Sequence, residues 1–144
     1  FDPFVPTEKM EAEGVKVPAT LEELYANCDY ISLHIPANEK TKGSINYELL
    51  SKMPKGGCLV NTARKEVIDE AGMEKLLADR ADLKYVTDIA PANQAALEQF
   101  APRFFATPKK QGAETAEANM NAGLAAARQI VGFIERGETK FKVN

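Results

Sequence analysis

Tryptophan is absent and histidine occurs once, at His34. The two cysteines, Cys28 and Cys58, form no CxxC, and one imidazole cannot complete a His/Cys zinc site with them. No metal is therefore expected. Both thiols lie in apolar surroundings, which reads as reduced core residues of a cytoplasmic protein. No run is long and apolar enough to cross a bilayer, so a membrane is not expected as a partner. The opening residues carry neither the cationic nor the apolar part of a secretion signal. An excess of positive charge is missing too: the formal net charge is −3, which argues mildly against nucleic acid as a partner. The glycines are scattered, and G-x-G-x-x-G occurs nowhere. There is no internal repeat and no low-complexity segment.

What the chain does have is a regular alternation of short apolar runs with helical patterns. At 144 residues it has one domain's length. Val15–Val17 reads as a short strand. Thr20 caps a helix, with Glu23 at the reciprocal capping position and Leu21, Leu24 and Tyr25 as its apolar face. Tyr30–Ile35 reads as a strand stopped by Pro36. His34, on an apolar strand, is expected to be a packed core residue. Asn46 caps a short helix through Met53. Asp69 or Glu70 opens a helix to about Ala78, with Met73, Leu76 and Leu77 facing inward. Leu83–Ile89 is a strand, residues 95–100 are helical, and Phe104–Thr107 is the last strand. A long helix from about Thr115 to Arg136 carries Met120, Leu124, Ala127, Val131 and Ile134 on one face, with Gly137 as its C-cap. Strands alternating with helices mean an α/β fold with a mostly parallel sheet.

The central stretch runs from Cys58 to Glu70. It starts as an apolar run after Gly56-Gly57 and ends in a polar, helix-starting segment, as a buried parallel strand entering a loop does. Arg64 sits just past the strand's end, where open α/β sheets bind ligands. A guanidinium there is a two-pronged donor suited to a carboxylate. The same residue type also serves as a salt bridge to a loop or helix end, and spacing alone leaves both readings open.

Val60-Asn61-Thr62-Ala63-Arg64-Lys65-Glu66-Val67-Ile68-Asp69 resembles the signature N-[TC]-[AS]-R-G-x-[IV]-[VI]-[DN] of the D-isomer-specific 2-hydroxyacid dehydrogenases. Phe1-Asp2-Pro3 is similar to that family's Y-D-P, Leu33-His34-Ile35-Pro36 to its [LV]-H-x-P, Thr41-Lys42-Gly43 to its T-[KR]-G, and the closing Phe141-Lys142-Val143-Asn144 to its x-A-V-N. Within the family the chain looks most like the 3-phosphoglycerate dehydrogenases. The resemblance implies a doubly wound, mostly parallel Rossmann-like sheet lacking its first βα unit, which is expected upstream. It divides the chain into residues 1–110, a partial NAD-binding domain, and residues 111–144, a helix that returns to a substrate domain. It implies NAD as cofactor, a small 2-hydroxy acid as substrate, a homodimer, and interconversion of 3-phosphoglycerate with 3-phosphohydroxypyruvate at the entry to serine synthesis. A dehydrogenase of another D-2-hydroxy acid, or a non-catalytic NADH-sensing protein, remains open beside it.

The resemblance also assigns residues. Asp2 would accept hydrogen bonds from the ribose hydroxyls and favour NAD over NADP, although an Asp that merely starts an Asp-Pro turn has the same sequence. Ile35, Pro36, Thr62, Ala63, Arg64 and Asp88 would line the cofactor cleft, and Arg64 would hold the substrate carboxylate. The chain departs from the family at its Glu-His dyad. The Glu position, counted from Asp88, holds Asn93, and the position after Pro108 holds Lys109 instead of His. The two departures are chemically coherent. A carboxylate raises the pKa of a His and orients it, but would push a Lys further from neutrality and make it a worse base. Lys109 is therefore the expected proton carrier, with Lys110 beside it. A Lys-Lys pair in a loop is otherwise a solvated surface patch.

Overall fold

A computed structural model describes residues 1–108 and 115–142. The chain separates into two compact units, Phe1–Lys109 and Lys110–Asn144. In the first, α1 (Thr7–Ala12) and α2 (Leu21–Asn27) lead into β1 (Tyr30–Leu33). Then follow α3 (Tyr47–Leu50), β2 (Cys58–Asn61), α4 (Glu70–Asp79), β3 (Lys84–Thr87), α5 (Gln94–Leu97) and β4 (Phe104–Ala106). The second unit contains α6 (Ala116–Arg136).

The four strands are parallel and lie in sequential order, β1-β2-β3-β4. Crossovers of one hand that step in one direction put their helices on the same face. Burial agrees. Ile31, Leu33, Leu59, Tyr85 and Phe104 share the covered face, while Tyr30 and Phe105 point from the other and are exposed. This is how one half of a doubly wound sheet is built. His34 continues the Tyr30, Ser32 parity, so it is exposed and its Nε2 lies 2.9 Å from Ser32 Oγ. The expectation of a packed core histidine is corrected by that alternation: Leu33, not His34, faces the helices.

Local chemistry sets most helix boundaries. Glu23 N–H donates to Thr20 Oγ1 at 3.1 Å, and the Glu23 carboxylate reaches back to Ala19 N–H at 2.8 Å. Asn46 Oδ1 accepts from Leu49 N–H at 3.0 Å. Buried Gly72, Met73, Leu76 and Leu77 of α4 recur at helical spacing and close over the sheet. Thr115 caps α6, and Gly137 ends it in the left-handed conformation, φ 65°. Val15–Val17 is not a strand. It pairs with no strand among the described residues, and Pro18 removes the next N–H. The α1 helix, which carries no buried residue, had no apolar stripe to announce it.

Candidate functional site

The register places Leu33, Asn61, Thr87 and Ala106 side by side. The loops after them therefore leave the same edge of the sheet, on strands about 4.8 Å apart. That edge collects Ile35 and Pro36 after β1, Thr62, Ala63 and Arg64 after β2, and Asp88 after β3. These expected site residues are brought together. Lys109 and Lys110 follow β4 and lie outside the described residues. Asp2 lies at the start of the chain in a turn of its own: its Oδ1 accepts from Phe4 N–H at 2.8 Å. It borders a cavity also lined by Phe1, Val17 and Ala19.

Arg64 is exposed and extended, φ −146°, ψ 142°. Its Nη1 donates to the Ala63 carbonyl at 2.8 Å. No carboxylate pairs with it among the described salt bridges. The structural use weighed for it, an ion pair with a loop or helix end, is thus not seen among the described residues.

Asn61, which ends β2, was not singled out from the sequence. It is fully buried. Its Oδ1 accepts from Ala63 N–H and its Nδ2 donates to the Arg64 carbonyl, both at 3.0 Å. Its own carbonyl accepts from Thr87 Oγ1 at 2.9 Å and from Asp88 N–H at 3.2 Å. A polar residue closing an apolar strand was the available signal. Beneath it, burial pushes the Tyr85 phenol up, partly offset by hydrogen bonding to Asn61 and Thr87.

Two acceptors at this end of the unit lack partners among the described residues. Asp88 Oδ1 and Asn93 Oδ1 are both buried. Asn93 Nδ2 donates to the Glu70 carbonyl at 3.0 Å, and the Glu70 carboxylate accepts from Ala92 N–H at 2.8 Å, so the loop after β3 is tied to the start of α4. A buried oxygen with no protein donor is costly. Among the described residues, no group of three or more His, Cys, Asp or Glu is placed to hold a metal ion.

Residues 1–109 match the family described as D-isomer specific 2-hydroxyacid dehydrogenase, NAD binding domain. The D-3-phosphoglycerate dehydrogenase of Methanocaldococcus jannaschii is 35% identical over 141 residues, 96% of this chain and 26% of the relative. The corresponding enzyme of Bacillus subtilis is 32% identical over 92% of this chain and 25% of its own length. This chain thus spans about a quarter of the length of these relatives. A crystal structure of NAD+-bound 3-phosphoglycerate dehydrogenase from Entamoeba histolytica is 49% identical, with a TM-score of 0.80 over 100% of this chain and 45% of that one.

Proposed function

The chain belongs to the D-isomer-specific 2-hydroxyacid dehydrogenase family through its NAD-binding domain, and on that premise we propose that it serves an enzyme interconverting 3-phosphoglycerate and 3-phosphohydroxypyruvate. The observation that carries the proposal is an exposed Arg64, without a carboxylate partner in the described salt bridges, at the shared edge of three strand-end loops. Similarity to phosphoglycerate dehydrogenases over more than nine-tenths of the chain supports the choice of substrate.

In this reading Ile35, Pro36, Thr62, Ala63 and Asp88 line the cleft for NAD, and Asp2 takes the ribose hydroxyls. NAD supplies the hydride acceptor. Arg64 grips the substrate carboxylate with its forked donors and polarises the oxygen at C2. Lys109 takes and returns the C2 hydroxyl proton, a role for which a neighbouring cation, such as Lys110 beside it in sequence, would suit it by lowering its pKa. Residues 1–110 form the cofactor domain, a division supported by the family match ending at 109, and 111–144 lead back to a substrate domain. The family resemblance alone supports a cytoplasmic homodimer acting in serine synthesis. Among the described residues no helix is long and apolar enough to cross a membrane.

The test is NAD reduction by the complete enzyme with 3-phosphoglycerate, D-lactate and D-glycerate in parallel. A preference for 3-phosphoglycerate supports the proposal. Preference for another acid moves the substrate but keeps the reaction. NADH binding without turnover of any of them refutes the enzyme reading and identifies a sensor.

A further inference from the structure

We propose that Asn61 is the positioning residue for Arg64, setting the backbone from which the guanidinium reaches its anionic ligand; this rests on the carboxylate-binding role given to Arg64 above. The Arg64 side chain is exposed, and among the described residues its guanidinium donates to the carbonyl of its own neighbour, Ala63. Its aim therefore depends on the loop.

Asn61 holds that loop at two points. Through Oδ1 it fixes the peptide between Thr62 and Ala63, and through Nδ2 it fixes the peptide between Arg64 and Lys65. The peptide between these two carries the Ala63 carbonyl that receives Arg64 Nη1. One fully buried amide thus restrains both flanks of the plane on which the guanidinium rests.

The backbone of Asn61 is itself held. Thr87, only 2% exposed, donates to the Asn61 carbonyl from the paired position on β3. Beyond Arg64 the chain is tied again. Gly43 N–H donates to the Glu66 carbonyl at 2.9 Å, and Ile45 N–H to that of Val67 at 3.0 Å. Arg64 sits between two backbone anchors, with its side chain facing solvent. That is the arrangement of a preorganised binding group rather than a surface loop residue.

An ionised carboxylate of the same shape cannot do this. The amide accepts from one peptide and donates to another, whereas an ionised carboxylate keeps the first bond and sets an acceptor against the Arg64 carbonyl. The test is a cycle on the complete enzyme of Asn61→Asp, Arg64→Ala and the double variant, with NADH affinity and melting temperature read alongside. Asn61→Asp should lower kcat/KM for the 2-hydroxy acid by roughly 10- to 100-fold at pH 8 while changing NADH affinity less than about threefold. In the Arg64→Ala background the same substitution should add less than about threefold, because the group it positions is gone. Activity relative to wild type should recover toward pH 6, as protonation of the introduced carboxyl restores a donor.

A kcat/KM within about threefold of wild type, or a full multiplicative loss on top of Arg64→Ala, overturns the inference while leaving the role of Arg64 standing. A near-normal Arg64→Ala enzyme overturns that role and this inference together. If Asn61→Asp does not fold, Asn61→Ser, which keeps an uncharged acceptor, replaces it in the same cycle.

Discussion

Replacing Asp82 by Asn should destabilise the protein without touching its chemistry. Asp82 accepts from Arg80 Nε at 2.9 Å, from Arg80 Nη2 at 2.8 Å and from Gly56 N–H at 2.8 Å. Arg80 also donates to the Ser51 carbonyl at 3.0 Å and to those of Met53 and Pro54 at 3.3 and 3.4 Å. The pair thus binds the turn before β2 to the turn before β3, at the end of the sheet away from Arg64. An asparagine oriented with its oxygen toward Gly56 and Nη2 loses the Nε bond and the charge. A charge-assisted hydrogen bond contributes about 1.5–3 kcal/mol net. Both side chains are about a quarter exposed, so water replaces part of it, and the low end applies: about 1.5 kcal/mol, or roughly 5 °C in Tm for a chain of this size. The pH dependence separates charge from packing. The Arg80 guanidinium, and then the Gly56 N–H, hold the Asp82 carboxyl far below the usual carboxylate range. A depressed folded-state pKa means that the contribution is complete above the unfolded value of about 3.9 and is lost as pH falls toward the folded one. Melts of wild type and Asp82→Asn should differ by a constant amount from about pH 5 to 8 and converge in stronger acid. A gap below about 0.5 kcal/mol at pH 7, or one unchanged at pH 2.5, refutes the reasoning.

Tyr25→Phe should be neutral or stabilising by up to about 1 kcal/mol in a denaturant melt, because Tyr25 is 1% exposed and its hydroxyl has no partner among the described residues; a clear loss would show that the hydroxyl is satisfied. Arg64→Lys should lower the specificity constant of the complete enzyme by about two orders of magnitude although charge is kept, since an ammonium cannot make the forked contact; near-normal kinetics would return Arg64 to a structural role. Lys109→Met should abolish turnover and spare NADH affinity, with Lys110→Met milder, and the reverse order would shift the proton carrier by one residue. The basic limb of the pH-rate profile should lie above the roughly 6.5 of an unperturbed imidazole.

Features whose cause is local were legible in the sequence. Thr20, Asn46, Thr115 and Gly137 act on backbone groups within a few residues, and each caps the helix expected of it. The four strands of the sheet were legible because a covered sheet face imposes apolar residues, whereas Val15–Val17 has the residue types of a strand and no partner among the described residues. Arg64 stood out as a cation past a strand's end, but Asn61 did not: its importance lies in which peptides its amide meets after the chain turns. Arg103 shows the same limit over a longer range. It donates to the carbonyls of Leu77, Arg80 and Leu83, two elements away, and reads in sequence as an ordinary surface cation. His34 was misplaced for want of strand parity, which only the pairing supplies.

The sequential strand order bears on how the chain acquires its structure. Tyr30 pairs with Cys58, Cys58 with Lys84, and Tyr85 with Phe104. Each pairing closes a segment of about thirty residues or fewer, so the entropic cost of closure stays small and similar at every step. No strand waits for a partner from the far end of the described sheet. Parallel pairing is slower than closing a hairpin, but this order lets each strand dock on its predecessor as synthesis delivers it. A pulse-labelled chain truncated after β3 should already protect the β1 and β2 amides from hydrogen exchange.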